Sequence, residues 1–193
     1  PLAWRGFDFA SLTGRVYQSD SNSSGTSTEY GTQFIGRKET IDNGSFELSI
    51  DGLMTYDQQD QRSEGGRVLF RQDRLVISNK WQMDNTAGHM RSQTPRSISA
   101  GYRFHLPSTL LQGLGSTLYN EKTSLSLNFG DIGSLSGTAA RKFNTTQGSL
   151  LGVSATHQFN TQWLAGVQFW DTNDSQEYDD HQSVAGVAQF QNQ

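Results

Sequence analysis

The 193-residue chain contains no cysteine. That excludes a disulfide framework, thiolate chemistry and any thiolate-ligated metal. There is no apolar run of about 18 residues, so a membrane-spanning helix is excluded as well. Hydrophobic residues make up only 33% of the chain and mean hydropathy is −0.63, a smaller apolar share than a soluble domain normally uses to fill its core. Neither sign of charge dominates. The net charge of −4 leaves no electrostatic footprint for nucleic acid, so no nucleic-acid partner is expected. No secretory leader is visible. Because the chain begins at Pro1, a processed or excised product is expected. The histidines His89, His105, His157 and His181 lack the HExxH spacing of a zinc enzyme. Neither a GxSxG elbow nor a phosphate-cradling glycine loop occurs. Paired carboxylates of the glycosidase kind stay open, because folding rather than spacing sets their geometry. The expectation is a protein that is not an enzyme and carries no cofactor.

What the chain does have is a two-residue rhythm. Phe46, Leu48, Ile50, Gly52, Met54 and Tyr56 alternate with Glu47, Ser49, Asp51 and Thr55. Ile98, Ala100, Tyr102 and Phe104 repeat the pattern, and so do Leu125, Leu127 and Phe129 against Ser124, Ser126 and Asn128. Side chains alternate across a strand, so each run has one apolar and one polar face. Many such strands with so little total hydrophobicity fit a barrel that is apolar outside and wet inside.

Turn chemistry divides the chain into about ten strands. Strands are expected at about Phe7–Gln18, Tyr30–Ile41 and Ser45–Tyr56, the last two joined by Asp42-Asn43-Gly44, whose Asn and Gly tolerate positive φ. A short hairpin around Asp73 is expected from Arg67–Gln72 and Leu75–Met83, because the apolar phase changes there. Ser19–Glu29, Asp57–Gly65 and Asp84–Pro95 read as polar loops, and Ile98–Leu106 as a strand. Pro107–Leu118 is left unassigned, since Leu110, Leu111 and Leu114 have helical spacing. Thr123–Phe129 is a strand, Gly130–Gly137 a turn region and Thr138–Phe143 a possible strand. Ser149–Phe159 and Gln162–Trp170 form a hairpin, Asp171–His181 an acidic loop and Ser183–Phe190 the last strand. Long and short connections alternate as far as Leu106, as in up-and-down barrels of the outer membrane. The expected fold is all-β: an antiparallel up-and-down meander forming a transmembrane β-barrel, or a segment of a larger one, as a single domain over residues 1–193.

Three groups of side chains follow. Tyr17, Tyr56, Trp81, Trp163 and Trp170 sit near strand ends, where a membrane barrel carries an interfacial aromatic girdle. The alternative is core packing in a β-sandwich. Arg67, Arg71, Arg74 and Arg103 fall largely on polar faces, as do Glu39, Glu47 and Asp51 on earlier strands. Inside a barrel these would line the lumen as opposed basic and acidic walls; on an open sheet they are a solvated face. Asp171, Asp174, Asp179 and Asp180, with Glu177 and His181, form an acidic loop that could take calcium or bridge to lipopolysaccharide phosphates. Its spacing is not that of a dedicated calcium loop, so the plain expectation is a solvated loop with no metal.

TQGSLLGVSATHQFNTQWLAGVQFW (Thr146–Trp170), GYRFHLP (Gly101–Pro107) and LNFGDIG (Leu127–Gly133) resemble the barrel hairpins of Gram-negative outer-membrane proteins of the porin and fimbrial-usher kind. The resemblance covers the whole chain as texture rather than fixed signature. It implies a location in the bacterial outer membrane, with the bilayer and lipopolysaccharide as surroundings. It also implies a pore or translocation channel for polar solutes or an exported polymer. Bacterial barrels usually end on an aromatic residue, whereas Phe190 is followed by Gln191-Asn192-Gln193, and the rhythm still runs at Val184, Gly186, Ala188 and Phe190. A segment is therefore expected, with the rest of a larger barrel as a further partner. The competing expectation is a soluble β-sandwich that binds carbohydrate through exposed Trp and Tyr.

Overall fold

The computed structural model describes residues 6–21, 25–57, 62–95, 109–160, 163–173 and 181–190. These residues form ten antiparallel strands in one sheet, ordered β1 to β10 exactly as they follow in the chain. They are β1 (Phe9–Ser21), β2 (Gly25–Thr40), β3 (Gly44–Tyr56), β4 (Arg62–Ser78), β5 (Trp81–Arg91), β6 (Leu110–Tyr119), β7 (Thr123–Ser136), β8 (Lys142–Gln158), β9 (Trp163–Asn173) and β10 (His181–Phe190). No helix occurs among the described residues. All strands share a single layer, not the two facing sheets of a sandwich. The sheet is open: β1 and β10 are its edges and do not pair.

The connections fall into two sets. At one end they run 41–43, 79–80, 120–122 and 159–162; at the other, 22–24, 57–61, 92–109, 137–141 and 174–180. The short-and-long alternation therefore continues beyond Leu106, where it is hard to read in the sequence. Gly44 follows the first tight turn with φ +71°, the left-handed conformation that glycine adopts without Cβ strain.

Four sequence expectations are corrected. First, the hairpin around Asp73 does not form. β4 runs from Arg62 to Ser78, and the register slips between Gln72 and Leu75. The change of apolar phase is thus a bulge, which shifts side chains to the other face without reversing the chain. Second, Asp84–Arg91 is not loop but most of β5. Polar residues occupy both of its faces, so no alternation marks it. Third, the segment with helical leucine spacing is β6, in which Leu111 faces in and Leu114 is exposed. Fourth, Gly130–Ser136 extends β7 and the turn falls at 137–141, in place of the expected strand over Thr138–Phe143; β8 begins at Lys142. The expected strand Ile98–Leu106 lies outside the described residues.

Burial is inverted relative to an ordinary sheet. On β7, Ser124, Ser126 and Asn128 are 2–3% exposed, whereas Leu127 and Phe129 are 50% and 58% exposed. The register carries this across the sheet. Ser126 pairs with Thr117 and Ser154, and Ser154 with Gln168, all buried. Their exposed neighbours include Leu125, Val153 and Val167. On β3, Ser49 and Asp51 are buried beside exposed Ile50. The sheet therefore has a polar inner face and an apolar outer face.

The inner face also holds an apolar knot of Met90, Leu111, Leu150 and Trp170, with Leu69 and Ile132 packed against it. The interior is thus not uniformly polar. A further slip, between Asp131 and Gly133, bends the β7–β8 end. Its tip reaches over the inner face to β2–β4, where Ala139 and Ala140 bury against Leu53.

Candidate functional site

The inner face of β2–β4 is built of transverse rows. Gln33, Asp51 and Arg67 stand opposite one another on successive strands. Gln33 Nε2 donates to Asp51 Oδ1 at 2.8 Å, and Arg67 Nε donates to Asp51 Oδ2 at 2.8 Å. The Asp51 side chain is fully enclosed, so its charge is balanced and hydrogen-bonded, as a buried carboxylate must be. The next charged row on this face, beyond Ile35, Ser49 and Leu69, is Arg37, Glu47 and Arg71. Here Arg37 Nε donates to Glu47 Oε2 at 2.6 Å, and Arg71, on the other side of Glu47, is left without a hydrogen bond or ion pair among the described residues.

The expected opposed basic and acidic walls are therefore corrected. Acid and base stand on adjacent strands instead of on opposite walls, Arg67 paired with Asp51 and Arg37 with Glu47. Glu39 is exposed near the short-turn end, where its N–H donates to Asp8 Oδ2. Arg74 sits in the β4 bulge with φ 63°, its N–H donating to Asp84 Oδ1 at 2.8 Å; it does not line the cavity described below. Arg103 lies outside the described residues.

After β5 the chain turns inward. Gln93 is held by four hydrogen bonds. Its N–H donates to Asn128 Oδ1 at 2.6 Å and its carbonyl accepts from Asn128 Nδ2 at 2.9 Å. Its side-chain Nε2 donates to Thr86 Oγ1 at 2.6 Å, and its Oε1 accepts from Thr117 Oγ1 at 2.6 Å. Thr117 in turn meets Ser126 at 2.9 Å. Small hydroxyls and one Asn leave room on the inner face for this insertion, and they satisfy the backbone groups it buries.

The tip of the β7–β8 hairpin is fastened from the other side. Glu29 Oε2 accepts the N–H groups of Thr138 and Ala139 at 2.7 and 2.9 Å. Lys142 Nζ donates to Ser63 Oγ at 2.8 Å. Gly31 makes the approach possible, since a Cβ there would lie 2.5 Å from the Ala139 carbonyl carbon. His89 ties the tip to β4. Its ring stacks on Phe143 with centroids 4.5 Å apart, and its Nδ1 accepts the Val68 N–H at 2.9 Å.

Between the intrusions lies a cavity of about 450 Å³, lined among others by Arg67, Arg71, Leu69, Met90, Gln93 and Leu135. Of the residues expected at the lumen, Arg67 and Arg71 meet here. Asp84, Thr86, His89 and Gln93, which also line it, were not anticipated because their segment read as loop. The one available signal was Asn128, a polar residue at the centre of the clearest alternating strand.

The aromatic residues divide. Trp163 stands exposed next to exposed Phe159 at the short-turn end. Trp81 opens β5 at the same end. At the other end Tyr56 meets Tyr30 edge-on at 6.0 Å. Two residues depart from the expected girdle. Tyr17 pairs with Glu29 and so shares the inner face. Trp170 is 6% exposed and packs inward, because it pairs with Gly152, which leaves space for its ring. Asp171 ends up in β9 opposite Leu151. Asp174, Glu177, Asp179 and Asp180 lie outside the described residues, and no acidic or histidine group that could hold a metal ion occurs among the described ones.

In comparisons with known proteins, no family model matches the chain, and no curated protein or solved structure matches it either.

Proposed function

We propose that this chain is a membrane-spanning part of an outer-membrane β-barrel whose polar interior passes small polar solutes. The observation that carries this reading is the inverted burial: Ser126, Asn128, Ser154 and Gln168 inside, Leu127, Phe129, Val153 and Val167 outside. In water such an outer face would be an unusually large exposed apolar surface; in lipid it is the face a barrel requires. Strands of 10 to 17 residues meet the tilted crossing length of about 9–11 residues. The alternating connections and the outer aromatics near both strand ends point the same way. Gln93 and the β7–β8 tip would then narrow the interior from two sides. In such a passage, width and the lining charges govern what moves, and no side chain performs a reaction.

The absence of cysteine makes the test clean. In native membranes, Leu127→Cys and Val153→Cys should react with a bilayer-confined maleimide and resist a water-soluble one. Arg71→Cys should show the reverse. Rapid labelling of Leu127→Cys by the water-soluble reagent would overturn the membrane reading. The passage itself predicts stepwise conductance in planar bilayers, and a silent bilayer would count against it.

A further inference from the structure

We propose that the 450 Å³ cavity is a binding site for a small organic anion: a carboxylate with a short apolar body, held by Arg71. The proposal rests on the reading of the inner face as a solute passage and names the solute class that the site selects.

The argument starts from an uneven pairing of charges. Of the cations on β2–β4 that share the two charged rows, Arg67 is neutralised by Asp51 and Arg37 takes Glu47. Arg71 is the one left over. It lines the cavity together with Arg67, and it is exposed rather than enclosed. A planar guanidinium offers paired N–H donors that fit a carboxylate fork, which a lysine ammonium does not.

The remainder of the wall sets the body of the ligand. Leu69, Met90 and Leu135 provide apolar surface, and the polar lining groups near them are already engaged: Thr86 and Thr117 both bond Gln93. The other charged lining groups, Asp73, Asp84 and Arg91, each have a partner of their own, so an anion finds Arg71 as the unused cation beside an apolar surface. The volume lies at the lower end of the range of about 300–1,000 Å³ for small-molecule sites, which suits a ligand the size of hexanoate.

The test is a calorimetric titration of the detergent-solubilised full chain with hexanoate, hexanol and inorganic phosphate. Hexanoate should bind saturably, and more tightly than either comparator. Arg71→Gln should weaken it by roughly tenfold or more, the usual loss for a charge-assisted hydrogen bond. Arg71→Lys should fall between the two, and Arg62→Gln, outside the cavity, should bind as the wild type does. Absence of saturable hexanoate binding, or unchanged binding in Arg71→Gln, overturns the proposal. Equal binding of hexanol removes the role of charge, and equal binding of phosphate removes the role of the apolar wall; either result overturns it too. The titration needs no bilayer, so it separates from the cysteine labelling: the site can fail while the membrane reading stands, and the reverse.

Discussion

The two halves of the inner face solve one problem differently. β2–β4 bury polar surface with charge, in rows such as Gln33–Asp51–Arg67. β6–β8 bury it with small neutral groups: Thr117, Ser124, Ser126, Asn128, Ser154 and Thr156. The outer faces of both halves are apolar, with Ile50 and Phe70 on one and Leu127 and Val153 on the other. The difference therefore arises from what each half receives from above. The neutral half accepts the backbone of Gln93, and hydroxyls and an amide adapt to backbone donors and acceptors at little desolvation cost. The charged half accepts the β7–β8 tip through hydrogen bonds to Glu29 at its rim and from Lys142, and through Leu53 packing on Ala139 and Ala140. Its centre stays open, and that opening holds Arg71.

The sharpest way to break this contrast is Asp51→Ala. It strands Arg67, whose side chain is only 20% exposed, and loss of one partner of a buried pair costs about 3–5 kcal/mol. Chemical unfolding in detergent should register the loss, and Arg67→Met added to it should recover most of the stability. If the single variant were as stable as wild type, the rows would contribute nothing.

In the neutral half the matching change is Asn128→Ala, which removes both bonds to the Gln93 backbone. Leaving those groups without a partner should cost about 1–3 kcal/mol. It should also speed hydrogen exchange at the Gln93 amide while the amides of β7 remain protected. An unchanged Gln93 amide would show that the inward segment is held by something other than Asn128.

The smallest effect is expected for Arg37→Gln. Its side chain is 60% exposed, and solvated pairs contribute about 0.2–1 kcal/mol. The change nevertheless sharpens the comparison, because it releases Glu47 toward Arg71 directly opposite. Stability should barely move while hexanoate affinity falls. A stability loss rivalling that of Asp51→Ala would mean that burial is not what separates the two rows.

The legibility of this molecule follows the range of each interaction. Alternation on β3 and β7 made those strands, their faces and the meander readable, because successive side chains point to opposite sides of any strand whatever lies beyond it. The tight turn at Asp42-Asn43-Gly44 was readable for the same local reason. β5 was not: Gln82, Asp84 and Thr86 face one side, Asn85 lies in the other phase, and His89 reaches the cavity although its position is in that other phase, so polarity carries no period. Nor could one strand reveal that Trp170 faces in, since that depends on the gap left by Gly152 on its neighbour.

By itself, then, the sequence determined strand character, the two faces and the polar sign of the buried one, all set by local covalent geometry and side-chain type. Only the tertiary structure decided which charges cancel, that Gln93 docks on Asn128, that Glu29 clasps residues 138 and 139, and that Arg71 is left unpaired. Those outcomes depend on register between strands and on bulges that redirect whole segments, and no periodicity along one strand encodes them.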